Sequence, residues 1–166
     1  MNILNSFTAQ VSATLICFVA SFLLVGALYF EFILGLPPCP LCMMQRVWFA
    51  LAAIVAYIAL LHNPRWGIYA LVTMLCAGIG AYFSIRQLWL QSLPEDQVPA
   101  CGPSLEYMVD ALPISEIITV LLRGNGNCAE VSWSFMSLSM PAWLLIFFIG
   151  FALASAYACY QSFKRS

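Results

Sequence analysis

Uninterrupted apolar runs, rather than amphipathic alternation, dominate the chain. Four stretches, 9–30, 41–61, 66–85 and 141–161, are apolar on every face, and each reaches the about 20 residues that a helix needs to cross a bilayer. Arg46 is the only full charge inside them. Lipid offers no partner to backbone N–H and C=O groups, so such runs must be helices. The pattern predicts an all-α membrane protein, a four-transmembrane-helix bundle forming a single domain over 1–166 without internal repeat. Polar positions gather in a short loop at 31–40, a turn at 62–65 and a long loop at 86–140. Within the long loop, 113–123 reads as a short helix, with Pro113 near its first turn and Gly124 beyond its end. Its apolar residues Ile114, Ile117, Ile118, Val120, Leu121 and Leu122 outnumber the polar ones, and it has about half the length of a span. It is expected to lie parallel to the membrane, in the headgroup region.

Composition sharpens this picture. The 166 residues are 63% hydrophobic and 8% charged, against roughly 25% charged in soluble domains, which excludes a water-soluble fold. Residues 1–11 contain no Lys or Arg, and no small-x-small cleavage site follows the first run, so that run is read as a retained helix and not a cleaved signal. An even number of spans places both tails on the side of the 62–65 turn. That side carries Arg65, Lys164 and Arg165 and no acid; the other carries every Asp and Glu, with Arg46, Arg86 and Arg123 near or beyond its surface. The positive-inside rule then makes the N- and C-termini cytoplasmic and turns the loops 31–40 and 86–140 outward.

Cysteine placement agrees. Cys39, Cys42, Cys101 and Cys128, four of the seven, fall in or beside the outward loops, where an oxidising compartment such as a periplasm lets disulfides persist. Cys17, Cys76 and Cys159 lie within spans and read as small packing residues. Small residues at Cys76, Gly80 and Ser84, and at Gly150, Ala154 and Ala158, form faces for close helix approach. Trp48, Trp66, Trp89, Trp133 and Trp143 lie near span ends, as an interfacial belt requires.

The candidate chemistry sits at Cys39-Pro40-Leu41-Cys42. A Cys-x-x-Cys closes a small reducible ring whose thiols exchange electrons as a pair. At the head of a span, it suggests electron transfer into the lipid phase. Pro40 suits a first helical turn, where its missing N–H is not needed. Cys42 then lies at the positive end of the helix dipole, with Arg46 one turn deeper on the same face and expected to reach back toward it, favouring the thiolate. Alternatively, Arg46 is a snorkelling anchor in the headgroups. Gln45 offers a further hydrogen bond. In the long loop, 94–99 is polar and acidic, Cys101 precedes Gly102-Pro103, and Gly124-Asn125-Gly126-Asn127 leads into Cys128. Both loop cysteines are expected in accessible backbone.

The order Cys-Pro-Leu-Cys-x-x-x-Arg, an outward loop with two further cysteines, then Cys128-Ala129-Glu130, Trp133-Ser134-Phe135 and Met140-Pro141-Ala142-Trp143-Leu144-Leu145, resembles the DsbB family of bacterial disulfide-bond formation proteins. The resemblance runs over essentially the whole chain. It implies a multi-pass enzyme of the bacterial inner membrane, a dithiol:quinone oxidoreductase that reoxidises the periplasmic thiol oxidase DsbA and passes the electrons to ubiquinone, or to menaquinone without oxygen. By that resemblance the redox disulfides are Cys39–Cys42 and Cys101–Cys128. Cys101 forms the mixed disulfide with DsbA, Cys39 exchanges with Cys128, and Cys42 faces the quinone beside Arg46. Many relatives carry Glu before that arginine; this chain has Gln45, so any proton for the quinone comes from elsewhere.

Three rival readings stand beside it. A quinone-linked enzyme of the vitamin K epoxide reductase type is also a four-helix membrane protein, but its active Cys-x-x-Cys lies late in the chain. A zinc site fits poorly, because one Cys-x-x-Cys and two distant single cysteines lack zinc spacing. A scaffold with two structural disulfides leaves Arg46 unexplained.

Overall fold

The computed structural model describes residues 3–63, 67–102, 107 and 113–164. Expectations resting on Arg65, Trp66, Pro103 and Arg165 lie outside these residues. The elements are α1 (Ile3–Phe32), α2 (Pro40–His62), α3 (Gly67–Gln91), a 3-10 turn at Glu95–Gln97, α4 (Ile114–Arg123), a second 3-10 turn at Gly126–Cys128, the hairpin β1 (Ser134–Phe135) and β2 (Leu138–Ser139), and α5 (Met140–Phe163). Four helical segments, Ala9–Phe32, Pro40–His62, Gly67–Gln91 and Met140–Phe163, are long and apolar enough to cross a membrane. The fold is a four-helix membrane bundle.

Two helices run further than hydropathy suggests. α3 continues past Ile85 to Gln91, and Glu31, expected in a loop, sits on the last turn of α1. A polar residue ends a span only when it needs water. Arg86 instead lies over the Trp89 ring at 4.3 Å and donates from Nε to the Arg123 carbonyl at 3.4 Å. Gln87 is buried against α2, and Glu31 is ion-paired.

α1 packs on α2, α2 on α3 and α3 on α5, whereas α1 and α5 touch only lightly. The core centres on the Phe49 and Phe148 rings, stacked at 3.9 Å, with Phe151 edge-on at 5.7 Å. Alanines at 53, 56 and 77 fill in around them. Gly80 makes that stack possible, since a Cβ there would collide with the Phe148 ring. Cys76, Gly80 and Ser84 are all buried, as a close-packed face requires. The expected face at Gly150, Ala154 and Ala158 is not the one α5 buries. Its buried line is Phe148, Phe151, Ser155 and Cys159, and a Cβ at Gly150 would meet nothing within 4 Å. Size alone misassigned the face, because α5 presents rings to the glycine of its partner. Trp48 also departs from the expected belt, packing between the two buried clusters.

At the loop end, Met136 and Ser137 both take positive φ (52° and 65°), the conformation of a two-residue type I′ hairpin turn. The Trp143 indole donates to the Phe135 carbonyl at 3.2 Å, and Trp133 meets Phe30 of α1 at 5.3 Å between centroids. The hairpin thus ties the start of α5 to the end of α1.

Gly80→Ala is expected to destabilise the bundle by about 1–3 kcal/mol through overpacking against Phe148. Gly150→Ala, on an open face, should be neutral or stabilising by up to about 1 kcal/mol. Thermal unfolding of the two variants in detergent reads the contrast; equal shifts would contradict the packing described.

Candidate functional site

The site is built on the first turn of α2. Cys39 is the N-cap, its backbone extended (φ −73°, ψ 163°), and Pro40 occupies the start of the helix, as the sequence predicts. The Cys42 backbone N–H donates to Cys39 Sγ at 3.4 Å, so a thiol replaces the usual hydroxyl or carboxylate cap. This brings Cys39 Sγ to 2.9 Å from Cys42 Sγ. All seven cysteines are free thiols in the structure.

The third sulfur comes from the long loop. Gly124, with φ 76°, ends α4, and its missing side chain lets the turn press on Leu41 and Leu90. The 3-10 turn that follows is held by the Gly126 N–H to the Ala100 carbonyl (3.2 Å), and the Asn127 side-chain amide donates to the Gly102 carbonyl (3.1 Å). Cys128 is thereby fully buried in a cluster with Leu41, Phe83 and Leu90, with Cys39 packed against it. Cys39 and Cys128 are also hydrogen-bonded to each other. That contact, with the one to Cys42 and burial, holds the Cys39 thiol above the ordinary range. The same hydrogen bond lowers Cys128, with help from the Leu41 and Asn125 backbone and against burial. Negative charge thus favours Cys128 over Cys39.

The two loop cysteines are not equivalent, contrary to the expectation that both are accessible. Cys101 is exposed while Cys128 is not, although their segments adjoin: Gly126 packs against Pro99 and Cys101 so closely that a Cβ there would lie 3.0 Å from Cys101 Sγ. A glycine and asparagine run signals a turn, and says nothing of what the turn rests on.

Arg46 also differs from expectation. Its guanidinium makes an ion pair with Glu31 and donates to the Ala27 carbonyl at 3.1 Å. It makes no hydrogen bond to Cys42 among the described residues. What reaches the sulfurs is Gln87, absent from the sequence reading. Its Nε2 lies 3.3 Å from Cys42 Sγ and 3.5 Å from Cys39 Sγ, while its Oε1 accepts from Gln45 Nε2 at 2.9 Å. A signal existed, for Gln87 continues the Cys76, Gly80, Ser84 face by one more turn. Glu31 too was findable, as the only acid before residue 95.

Beside this cluster, the loose α1–α5 contact leaves a cavity of about 1500 Å³. Its walls include Phe22 and Phe30 of α1, Cys42, Gln45 and Arg46 of α2, and Trp143 and Phe147 of α5. Gln45 Oε1 is buried without a partner among the described residues. No group of three or more potential metal ligands occurs among the described residues.

Three sulfurs at a helix start, with Cys39 in reach of the other two and inside a four-helix membrane bundle, are suited to passing a disulfide from one pair to another. The chain is a membrane thiol–disulfide oxidoreductase. It belongs to the DsbB family: residues 9–158 match the family described as Disulfide bond formation protein DsbB. It is similar to the Disulfide bond formation protein B of Hahella chejuensis, 51% identical over 147 residues covering 86% of this chain and 89% of that one. The protein of the same description from Marinobacter nauticus is 50% identical over 137 residues (81% and 82% of the two chains), and that from Stutzerimonas stutzeri 47% over 146 (86% and 90%).

With the chain fully reduced, a soluble maleimide should modify Cys101 at least about tenfold faster than Cys128, because burial keeps the reagent from Cys128 even though its thiol pKa is lowered. Peptide mass spectrometry over a time course reads the two rates; parity would contradict the burial.

Proposed function

We propose that the chain reoxidises a DsbA-like periplasmic thiol oxidase and passes the electrons to ubiquinone, with menaquinone as the alternative acceptor, in the bacterial inner membrane with both termini cytoplasmic. The observation that carries the reading is Cys39, in contact with Cys42 on one side and Cys128 on the other. In the resting protein Cys39–Cys42 and Cys101–Cys128 are the two disulfides. Exposed Cys101 accepts the partner's thiolate, forming the mixed disulfide and releasing Cys128 as thiolate. The second thiolate of the partner resolves that bond and leaves oxidised, with Cys101 reduced. Cys128 attacks Cys39, breaking the Cys39–Cys42 bond and leaving Cys42 as thiolate. Cys101 then attacks Cys128, so the loop disulfide returns and Cys39 becomes a thiol. Two electrons have moved from the partner to the helix-start pair at each turn.

The cavity fits a quinone. Its apolar and aromatic walls suit a ring with the first part of a tail, and its volume exceeds the roughly 300–1000 Å³ of drug-sized sites. Cys42, Gln45 and Arg46 all line it. Bound there, ubiquinone supplies the acceptor for two electrons and two protons. Cys42 would be the sulfur that meets it, Arg46 would help hold it, and the aromatic residues would exclude water. Orientation of the bundle rests on the charge asymmetry of the loops. The reading has α4 lie flat on the outer leaflet, which its exposed apolar residues Ile114, Ile118 and Leu122, at helical spacing, support.

Reduced DsbA, a soluble ubiquinone analogue and the purified protein, followed by quinone absorbance, test the reading. The unmutated protein should consume one quinone per DsbA oxidised. Cys42→Ser should abolish quinone loss. Cys101→Ser should block transfer from DsbA while leaving the enzyme's own reduced Cys39/Cys42 pair able to reduce quinone. Wild-type rates in either variant would overturn the assignment. Fluorescent labels on α4 should report apolar surroundings at 114, 118 and 122 and water at 115 and 119; uniform hydration would remove the membrane-parallel placement.

A further inference from the structure

We propose that the charge on the Cys42 sulfur is stabilised by an uncharged amide relay, Gln45 to Gln87 to Cys42, in which Gln87 is a catalytic residue and Gln45 its positioning residue. The proposal rests on the reading of Cys42 as the sulfur that meets the acceptor. The amide is placed for it. Gln87 Nε2 donates to Cys42 Sγ at 3.3 Å, and Gln87 Oε1 lies 3.6 Å from the same sulfur, close enough to accept from it when it is a thiol. One side chain therefore serves both protonation states without moving. Its direction is fixed by Gln45, whose Nε2 occupies Gln87 Oε1 at 2.9 Å; a flipped Gln87 amide would set two NH₂ groups against each other. Both glutamines are buried, Gln45 fully and Gln87 to 3% exposure.

The obvious competitor is Arg46, the only full charge in the expected spans. Its guanidinium is ion-paired with Glu31 and further held by the Ala27 carbonyl, so it acts on the sulfur from a distance and without a hydrogen bond. Other titratable or charged groups around Cys42 are Cys39 at 2.9 Å, Cys128 beyond Cys39, and Glu130 along the cavity. None of these supplies a positive charge. Within 3.5 Å the donors to this sulfur among the described residues are the Gln87 amide and the Cys39 thiol, and Cys39 ceases to donate once it bonds to Cys128 in the relay. The donor that stays with Cys42 is the amide. An amide has no titration of its own near neutral pH, so its support does not fade with pH as that of a protonated imidazole does.

The test is the alkylation of Cys42 by iodoacetamide in the fully reduced full-length protein, followed by peptide mass spectrometry from pH 6 to pH 10. It needs neither quinone nor partner, so it fails or stands apart from the quinone assay of Cys42→Ser. Gln87→Leu is expected to slow alkylation about tenfold at pH 7, the size of a lost hydrogen bond to a charged group. At pH 10, where the thiol is ionised without help, the rates should converge. Gln45→Met, which frees Gln87 to flip, should give a smaller loss with the same convergence, and it carries the test if Gln87→Leu does not fold. The paired substitution Glu31→Gln with Arg46→Gln should leave the profile within about twofold, since the pair it removes is neutral overall. An unchanged rate in both glutamine variants overturns the proposal. So does a loss of equal size at every pH, which reports changed access, or a loss in the paired variant as large as in Gln87→Leu.

Discussion

Cys39 is held between two other sulfurs at the point where a helix begins, and the rest of the molecule serves that contact. A Cys-x-x-Cys on a helix start brings two thiols together by local geometry alone. The third must arrive from a segment almost ninety residues away, and burying it demands a fold. Gly124 turns the chain, Gly126 lets the Cys101 segment lie against the turn, and Leu41 and Leu90 form the apolar seat. The loop is therefore part of the core at one end and open to water at the other. Cys101 and Cys128 lie on adjoining segments and differ in exposure, and that asymmetry would give the proposed relay its direction.

The bundle accommodates several polar groups inside its helices, and the larger ones are paired. Glu31 meets Arg46, Gln45 meets Gln87, and Arg86 covers Trp89. Such pairing is what low-dielectric surroundings require, because an unpartnered polar group there costs several kcal/mol, about. It also explains why α3 extends beyond its apolar run. The unpaired atoms that remain among the described residues include Gln45 Oε1 and the Trp48 indole N–H, both near the cavity end of α2. Of the residues that carry them, Gln45 lines the cavity, where a bound group could complete its hydrogen bonding.

Much of the fold was legible from the chain because it rests on local rules. Hydropathy located four helices, Pro40 marked the start of α2, and Gly124 marked the end of α4, with its backbone at positive φ. The site was legible to the extent that it is local: Cys39, Cys42 and their place at a helix N-terminus follow from spacing. What spacing could not supply is which elements face each other. The depth of Cys128, the diversion of Arg46 to Glu31 and the arrival of Gln87 all depend on packing between helices, which periodicity does not encode. The Gly150 face failed for the same reason. A small residue allows close approach, yet only the partner helix decides whether it is used.

Arg46 shows how burial changes what a charge does. In water a guanidinium one turn from a thiol would be a modest attraction; inside the bundle the same cation requires a counter-ion, and Glu31 provides it. Once paired, the two form a dipole whose field at Cys42 falls off faster than that of a lone charge. Direct hydrogen bonds to the sulfur then come from short-range donors. Neutral amides meet that need with little desolvation cost of their own, and a pair of them, each fixing the other, keeps the donor aimed at sulfur whether the thiol is ionised or not. A bundle that must move electrons without stranding charge in lipid gains more from such dipoles than from an extra cation, and the geometry at Gln45, Gln87 and Cys42 follows from that constraint.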